Sequence, residues 1–411
     1  MVVKPGYKQT EAGVIPEKWE TPPLAEVTRR IIDYRGRTPR KLGMNWGGGD
    51  IPALSARNVK MGFVDFAEEC YFGSEALYKR WMTNGDTERN DIVVTMEAPL
   101  GNVALIPDDQ KYILSQRTIL LKVDPELAFS PFLFQLMLSD RFQHLLFENS
   151  TGSTAKGIQR KKFEKLKVVR PPVPEQRAIA EVLSDVDALI GTLEKLIAKK
   201  RDLKQAAMQQ LLTGQTRLPG FTAKWQTERF GNLASPRKDR VDPRKAGAQE
   251  FCVELEDIEQ GTGQLVGSTS AEAQYSLKSK FQTGDVLFGK LRAYLRKYWL
   301  ADRSGVCSTE IWVLVANREL VTPQFLFQLV TVDRFVEAAT IAYGTHMPRS
   351  DWNVVKNYVV AVPKPDEQTA IAGVLSDMDA EIVALEARLA KTRALKQGMM
   401  QELLTGRTRL A

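Results

Sequence analysis

Residues 175–218 read EQRAIAEVLSDVDALIGTLEKLIAKKRDLKQAAMQQLLTGQTRL, and residues 367–410 read EQTAIAGVLSDMDAEIVALEARLAKTRALKQGMMQELLTGRTRL. The two align without a gap at an offset of 192, and roughly two-thirds of their positions are identical. Stacked solenoid repeats have periods of roughly 20–50 residues, so this period describes a duplicated domain plus its connector. Shared apolar positions step by four and three: Ile179, Leu183, Val186, Ile190, Leu193 and Ile197 in the first copy, Ile371, Leu375, Met378, Ile382, Leu385 and Leu389 in the second. That stepping is the seam of a coiled coil. Gly191 is the one internal glycine or proline between Glu175 and Leu212. The spacing therefore predicts a helix of about 35 residues, roughly 50 Å long at 1.5 Å per residue. Each copy ends in Thr-Gly, where Gly214 and Gly406 can take the left-handed cap conformation. The uninterrupted length argues that the two helices pair with each other. The seam weakens at Lys200 and Lys204, and at Thr392 and Lys396, before resuming at Leu211 and Leu403. Leu189, Leu196 and Leu203 form a second apolar stripe, answered by Glu381, Arg388 and Leu395. Either another protein chain docks on it or the helix packs there on its own neighbouring domain.

Ahead of each helix lies a stretch that reads as mixed α and β. Short β-branched runs, DIVVT at 91–95, ILLKV at 119–123 and IWVLV at 311–315, are bounded by turn-forming residues, as strands are. The two stretches diverge far more than the helices do, yet landmarks recur. FLFQL at 132–136 with DRF at 140–142 answers FLFQL at 325–329 with DRF at 333–335. Gly152 and Ser153 answer Gly344 and Thr345, Asp91 answers Asp285, and Ser115 answers Ser308. One α+β fold is retained in two modules while most of its surface changes. The expected division is module 1–173, helix 174–218, module 219–364 and helix 365–411.

Composition fits this reading. A chain of 411 residues calls for several domains, and 43% apolar with 26% charged residues is ordinary for a folded globular chain. No stretch approaches the roughly 18–20 apolar residues of a membrane span, and the start lacks a signal-peptide core, so the expected compartment is cytoplasmic, with no membrane partner. Three separated cysteines, Cys70, Cys252 and Cys307, argue against a disulfide framework or a zinc site. The net charge of +7 lies in the modules: residues 1–173 carry +4 and residues 219–364 carry +3.

Basic clusters mark where a polyanion could lie. They run over 35–41, 156–167, 237–245 and 290–298, the last with Tyr294 and Tyr298 interleaved. Arginine can bond two acceptors on a guanine edge and lysine can neutralise phosphate. Catalytic motifs fail one by one. GDVLFGKL at 284–291 resembles a P-loop until Leu291 replaces the hydroxyl that must hold magnesium, and its interior reads as a strand. With His144 and His346 the chain's two histidines, histidine-rich metal chemistry and a histidine-based triad are disfavoured. Asp109 and Lys111 have nuclease-like spacing, but no carboxylate sits correctly upstream.

Two variable modules, each closing on Glu-Gln and a long helix ending LLTGxTRL, resemble the specificity subunit of type I restriction–modification systems. Matching stretches are Pro174-Glu175-Gln176, Asp366-Glu367-Gln368, LSDVD at 183–187 with its copy, RLPGF at 217–221 followed by Trp225, and GVIPEKW at 13–19. The family pattern has Pro-Pro-Leu ahead of Glu-Gln, and both copies here are looser. The resemblance implies that each module is a target-recognition domain for one half of a bipartite duplex DNA target. It further implies a pseudo-twofold arrangement in which the two helices pair antiparallel as a spacer. On that pattern the subunit is non-catalytic and holds no cofactor. Two modification subunits would use S-adenosylmethionine, and restriction subunits would use ATP and Mg2+. The DNA contacts of the family lie in variable loops, so residues are nominated by chemistry alone. These are Arg37, Arg40, Lys156 and Arg160 in the first module, and Arg240, Lys290, Arg292, Tyr294 and His346 in the second. The rival expectations are a coiled-coil scaffold whose modules bind protein, or an enzyme with an unrecognised site. Read as a circle, the end of the chain runs into its start as residue 218 runs into the second module, so the two termini should meet.

Overall fold

The computed structural model describes residues 4–11, 13–153, 155–243, 251–269, 276–343 and 348–410. The chain divides into two compact units, Met1–Leu193 with Arg388–Ala411, and Glu194–Ala387. Each long helix thus contributes one part to each unit.

In the first unit a hairpin of β1 (Tyr7–Thr10) and β2 (Gly13–Pro16) leads into β3 (Thr28–Asp33), β4 (Ile51–Leu54) and β5 (Tyr71–Gly73). Strands β6 (Ile92–Met96), β7 (Leu100–Leu105), β8 (Ile113–Leu114) and β9 (Thr118–Val123) follow. The main sheet is antiparallel in the order β3-β9-β6-β7, while β4 pairs antiparallel with β5 and parallel with β8. Helices are α1 (Glu75–Trp81), α2 (Ser130–Leu138), α3 (Asp140–Glu148), α4 (Arg160–Glu164) and the 39-residue α5 (Val173–Leu211). The main sheet is covered on both faces, which is why its central strands read as unbroken apolar runs. Ile92, Val94 and Met96 pack with Phe132 and Leu136 of α2, while Val93 between them packs with Trp81 of α1 and Tyr112.

The second unit repeats the scheme. Its strands are β10 (Gln226–Arg229), β11 (Ala234–Pro236), β12 (Arg240–Val241), β13 (Cys252–Val253), β14 (Lys278–Phe281) and β15 (Val286–Gly289). They continue with β16 (Tyr298–Leu300), β17 (Gly305–Ser308), β18 (Ile311–Ala316), β19 (Ala342–Tyr343), β20 (Arg349–Ser350) and β21 (Val359–Val362). Helices are α6 (Phe230–Leu233), α7 (Pro323–Thr331), α8 (Asp333–Thr340), α9 (Trp352–Val355) and the 39-residue α10 (Pro365–Leu403). The main sheet, β11-β18-β15-β16, matches β3-β9-β6-β7, and the parallel pair of β13 with β17 matches that of β4 with β8. The P-loop look-alike is strand β15, as its apolar interior required.

Within each unit the two long helices run antiparallel. In the second, Lys200 bonds Glu381 at 2.8 Å, Arg201 bonds Glu386 at 2.6 Å, and Lys204 pairs with Asp379. In the first, Lys396 pairs with Asp187 at 2.7 Å, the equivalent of Lys204 with Asp379. The lysines that interrupt the apolar seam are therefore interhelical charge pairs, a device that fixes register. Leu193, Ile197 and Ile382 are buried, and Val186, Ile190, Met378, Leu385 and Leu389 are half-buried. Leu183 and Leu375 are buried where seam and module core join: Leu183 lies in the first core with Ile179 and with Leu403 of α10, and Leu375 in the second with Ile371 and with Leu211 of α5. Leu189, Leu196, Leu203 and Leu395 are 40, 36, 47 and 58% exposed, so no domain of this chain covers that stripe.

A buried carboxylate locks each helix start. Glu175 accepts from Trp19 Nε1 at 3.0 Å and from Arg409 Nη2 at 2.8 Å. Glu367 accepts from Trp225 Nε1 at 3.2 Å and from Arg217 at 2.5 and 2.7 Å. The adjoining glutamines close the loops beside them. Gln176 accepts from Phe129 N–H and donates to Leu127 O and Pro171 O, and Gln368 does the same with Thr322, Leu320 and Pro363. Gly214 and Gly406 take φ of +73° and +70°, the expected left-handed caps. Tyr7 donates its hydroxyl to Gly406 O at 2.9 Å, so the two ends of the chain meet in the first unit.

Replacing Glu367 by Ala strands the Trp225 N–H and the Arg217 guanidinium. The expected cost is about 1–3 kcal/mol, read as a lower urea midpoint by tryptophan fluorescence. Glu175→Ala should act alike through Trp19 and Arg409, and an unchanged midpoint in both would refute the locking role.

Candidate nucleic-acid interface

In the first unit, the loops after β3 and β4, the entry to β5 and the β8–β9 turn enclose a cleft of about 580 Å³ lined by Arg37, Arg40, Trp46, Arg57, Tyr71 and Arg117, among others. Its aromatic wall is a stack: Trp46 and Tyr71 lie 5.4 Å apart with planes 8° off parallel, and Trp46 also meets Trp81 at 5.4 Å. Tyr71 is 63% exposed, so the stack offers its outer face to solvent. Cationic groups beside an open aromatic face suit nucleotide binding, since every base has a π surface.

The nominated residues separate on inspection. Arg37 lines the cleft but is anchored: it bonds Thr83 Oγ1 at 3.1 Å, donates to the Trp81 carbonyl, and lies 4.7 Å over the Tyr34 ring. Tyr34 in turn accepts from Asn84 N–H at 2.6 Å, and burial raises its phenol above the ordinary range. Arg40 lines the cleft from an exposed turn. Arg160 lies outside that lining, held by Glu164 at 2.6 Å and by Ile31 O at 3.3 Å, and Lys156 is exposed beside it. Arg57, Arg117, Trp46 and Tyr71 escaped the sequence reading because each stands apart from the basic clusters.

In the second unit the excursion between β15 and β16 carries Lys290, Arg292 and Tyr294. Arg292 is exposed at φ +54°, with its N–H bonded to Pro348 O at 2.9 Å. Tyr294 is 49% exposed, and Lys290 is half-buried. Arg296 of the same cluster is held by Asp333 at 2.5 Å. Arg237 is bound by Asp285 at 3.0 and 3.1 Å, which leaves Arg240 on β12 as an exposed cation of its cluster. His346, with Gly344, Thr345, Arg244 and Lys245, lies outside the described residues. Arg349 on β20, unnoticed in the sequence, makes a two-pronged pair with Glu310 at 2.8 and 3.2 Å.

Residues 16–200 match the family described as type I restriction modification DNA specificity domain. The chain is 22% identical to the type I restriction enzyme MjaVIII specificity subunit of Methanocaldococcus jannaschii, covering 98% of this chain and 96% of that one. It is likewise 22% identical to the EcoKI specificity subunit of Escherichia coli, over 96% of this chain and 89% of that one. The chain is similar to type I specificity subunits along nearly its whole length. Its fold agrees with a crystal structure of a type I restriction-modification S subunit from M. genitalium, at a TM-score of 0.57, 13% identity and 98% coverage of both chains. A chain from a study of complex assembly in the type I system aligns at a TM-score of 0.54 and 16% identity, over 95% of this chain and 99% of that one. The family match ends at residue 200, and the second unit of the chain repeats the same main-sheet order and the same carboxylate lock beyond it. Among the described residues no helix is long and apolar enough to cross a membrane.

Arg37 and Arg40 should part company when each is replaced by Ala. Loss of the Arg37 anchors is expected to cost about 1–3 kcal/mol, whereas Arg40→Ala should stay within about 0.5 kcal/mol. Urea unfolding of the two variants measures this, and equal midpoints would refute the anchoring role of Arg37.

Proposed function

We propose that this chain is a specificity subunit, the non-catalytic DNA reader of a type I restriction–modification complex, with each module recognising one half of a bipartite duplex target. The observation that carries the reading is the contrast between the two modules. Their main sheets share one strand order and their locks and helix junctions match, while the loops that bear exposed cations differ in sequence. Two readers on one frame suit two different half-sites. The modules are 1–173 and 219–364, related by a pseudo-twofold axis, and α5 and α10 form an antiparallel coiled coil that sets the distance between half-sites. The exposed leucine stripe of α5 supports docking of modification subunits on the helices. In the complete assembly, two modification subunits supply S-adenosylmethionine-dependent methylation, and restriction subunits supply ATP- and Mg2+-dependent cleavage, in the cytoplasm.

The test is to co-express the chain with its modification subunit and map methylated sites across a genome. The expected result is one motif in two parts separated by a fixed number of unspecified bases. A contiguous motif, or none, would refute the bipartite reading. Deleting one heptad within residues 188–204 together with its match in α10 shortens the pair by about 10 Å. The spacer should then shrink by about three base pairs at 3.4 Å each, and an unchanged spacer would rule out the helix pair as ruler.

A further inference from the structure

Position 117 in the first module and position 310 in the second are the same place in the fold. Met96 N–H bonds Arg117 O at 2.8 Å, and Lys290 N–H bonds Glu310 O at 3.0 Å. The strand registers agree, with Val94 opposite Ile119 and Phe288 opposite Trp312. Each turn makes one ion pair with a neighbouring strand, and the polarity is reversed. Arg117 faces Glu97 at 3.6 Å, whereas Glu310 holds Arg349 at 2.8 and 3.2 Å. Glu97 bridges Gly157 through the backbone as Leu291 bridges Arg349, so the two pairs share the turn position, and their partners, Glu97 and Arg349, come from the two adjoining segments of that bridge.

Stability does not account for these pairs. The side chains of Arg117 and Arg349 are 49 and 50% exposed, and exposed ion pairs contribute little. The backbone here is strained as well. Of five non-glycine residues with positive φ among the described residues, four lie on this turn and its facing hairpin: Ala98, Arg117, Arg292 and Arg296. Such conformations cost free energy and gather where a side chain must be aimed. A carboxylate beside an arginine repels phosphate but can accept from an amino group on a base edge. Arginine donates a planar fork to guanine O6 and N7, and glutamate accepts from the N4 amino group of the paired cytosine.

We propose that the pairs Arg117 with Glu97 and Arg349 with Glu310 each read one G·C base pair, in separate half-sites, with the arginine contacting the base and the glutamate positioning it. This rests on the DNA-reading function proposed above. The same complex, wild type and variant, is titrated against duplexes carrying every single-base change in the target. Arg117→Ala should lose roughly 5- to 150-fold of discrimination at one G·C pair, with the other half-site unaffected. Arg349→Ala should do so in the other half. Arg117→Lys keeps the charge but not the fork, so it should lose discrimination too, and co-purification with the modification subunits certifies its fold. Affinity lowered equally on all duplexes, with a shallower salt dependence, would make these arginines phosphate contacts and overturn the assignment. Unaltered base preference would overturn it as well. A wild-type complex that prefers no sequence would instead refute the DNA-reading function itself.

Discussion

The structure depends on a carboxylate taken out of water at the start of each long helix. Glu175 and Glu367 are 7 and 1% exposed, a position that an anion occupies only when its oxygens are fully bonded. An indole from the start of the module and a guanidinium from the repeated TRL phrase supply those bonds. The first helical turn adds its own positive end to an acidic residue there. Segments distant in sequence must therefore converge before the helix can leave the module in a fixed direction: three in the first unit, around Trp19, Glu175 and Arg409, and two in the second, where Arg217 and Trp225 belong to one stretch. In the first unit one of those segments is the end of the chain, which explains why Tyr7 and Gly406 touch.

Much of this frame was legible because it was written twice. The helices, their glycine caps, the strands at 92–96, 118–123 and 311–316 and the meeting of the termini follow from periodicity and repetition. Leu183 and Leu375 serve seam and core at once: each is buried with a leucine of the other long helix, Leu403 or Leu211, and with its own module, and periodicity describes only the first of these. Lys200 and Lys204 looked like flaws in the seam. Their carboxylate partners lie some 180 residues away in sequence and become neighbours only when the helices are antiparallel.

The reading surface was far less legible, for a related reason. Runs of basic residues drew attention to Arg35, Arg160, Arg237 and Arg296, yet each is paired with a carboxylate. Pairing offsets charge, so a count of cations overstates the net field a module offers. The cleft draws Arg57 and Arg117 from separate loops beside the Trp46–Tyr71 stack, and these too have carboxylate neighbours, Glu68 and Glu69 for Arg57 and Glu97 for Arg117. No run of sequence announces them, because strand topology brings them together.

The two kinds of ion pair in this chain divide by burial. The locks put carboxylates in a low-dielectric setting, where losing a partner leaves an unpaired charge and the fold responds strongly. The pairs at positions 117 and 310 lie half in water, where exchanging one partner for another costs little. The frame repeats while the turn varies: polarity is reversed between two modules at one equivalent turn, above two matching locks, which fits the bipartite reading proposed above.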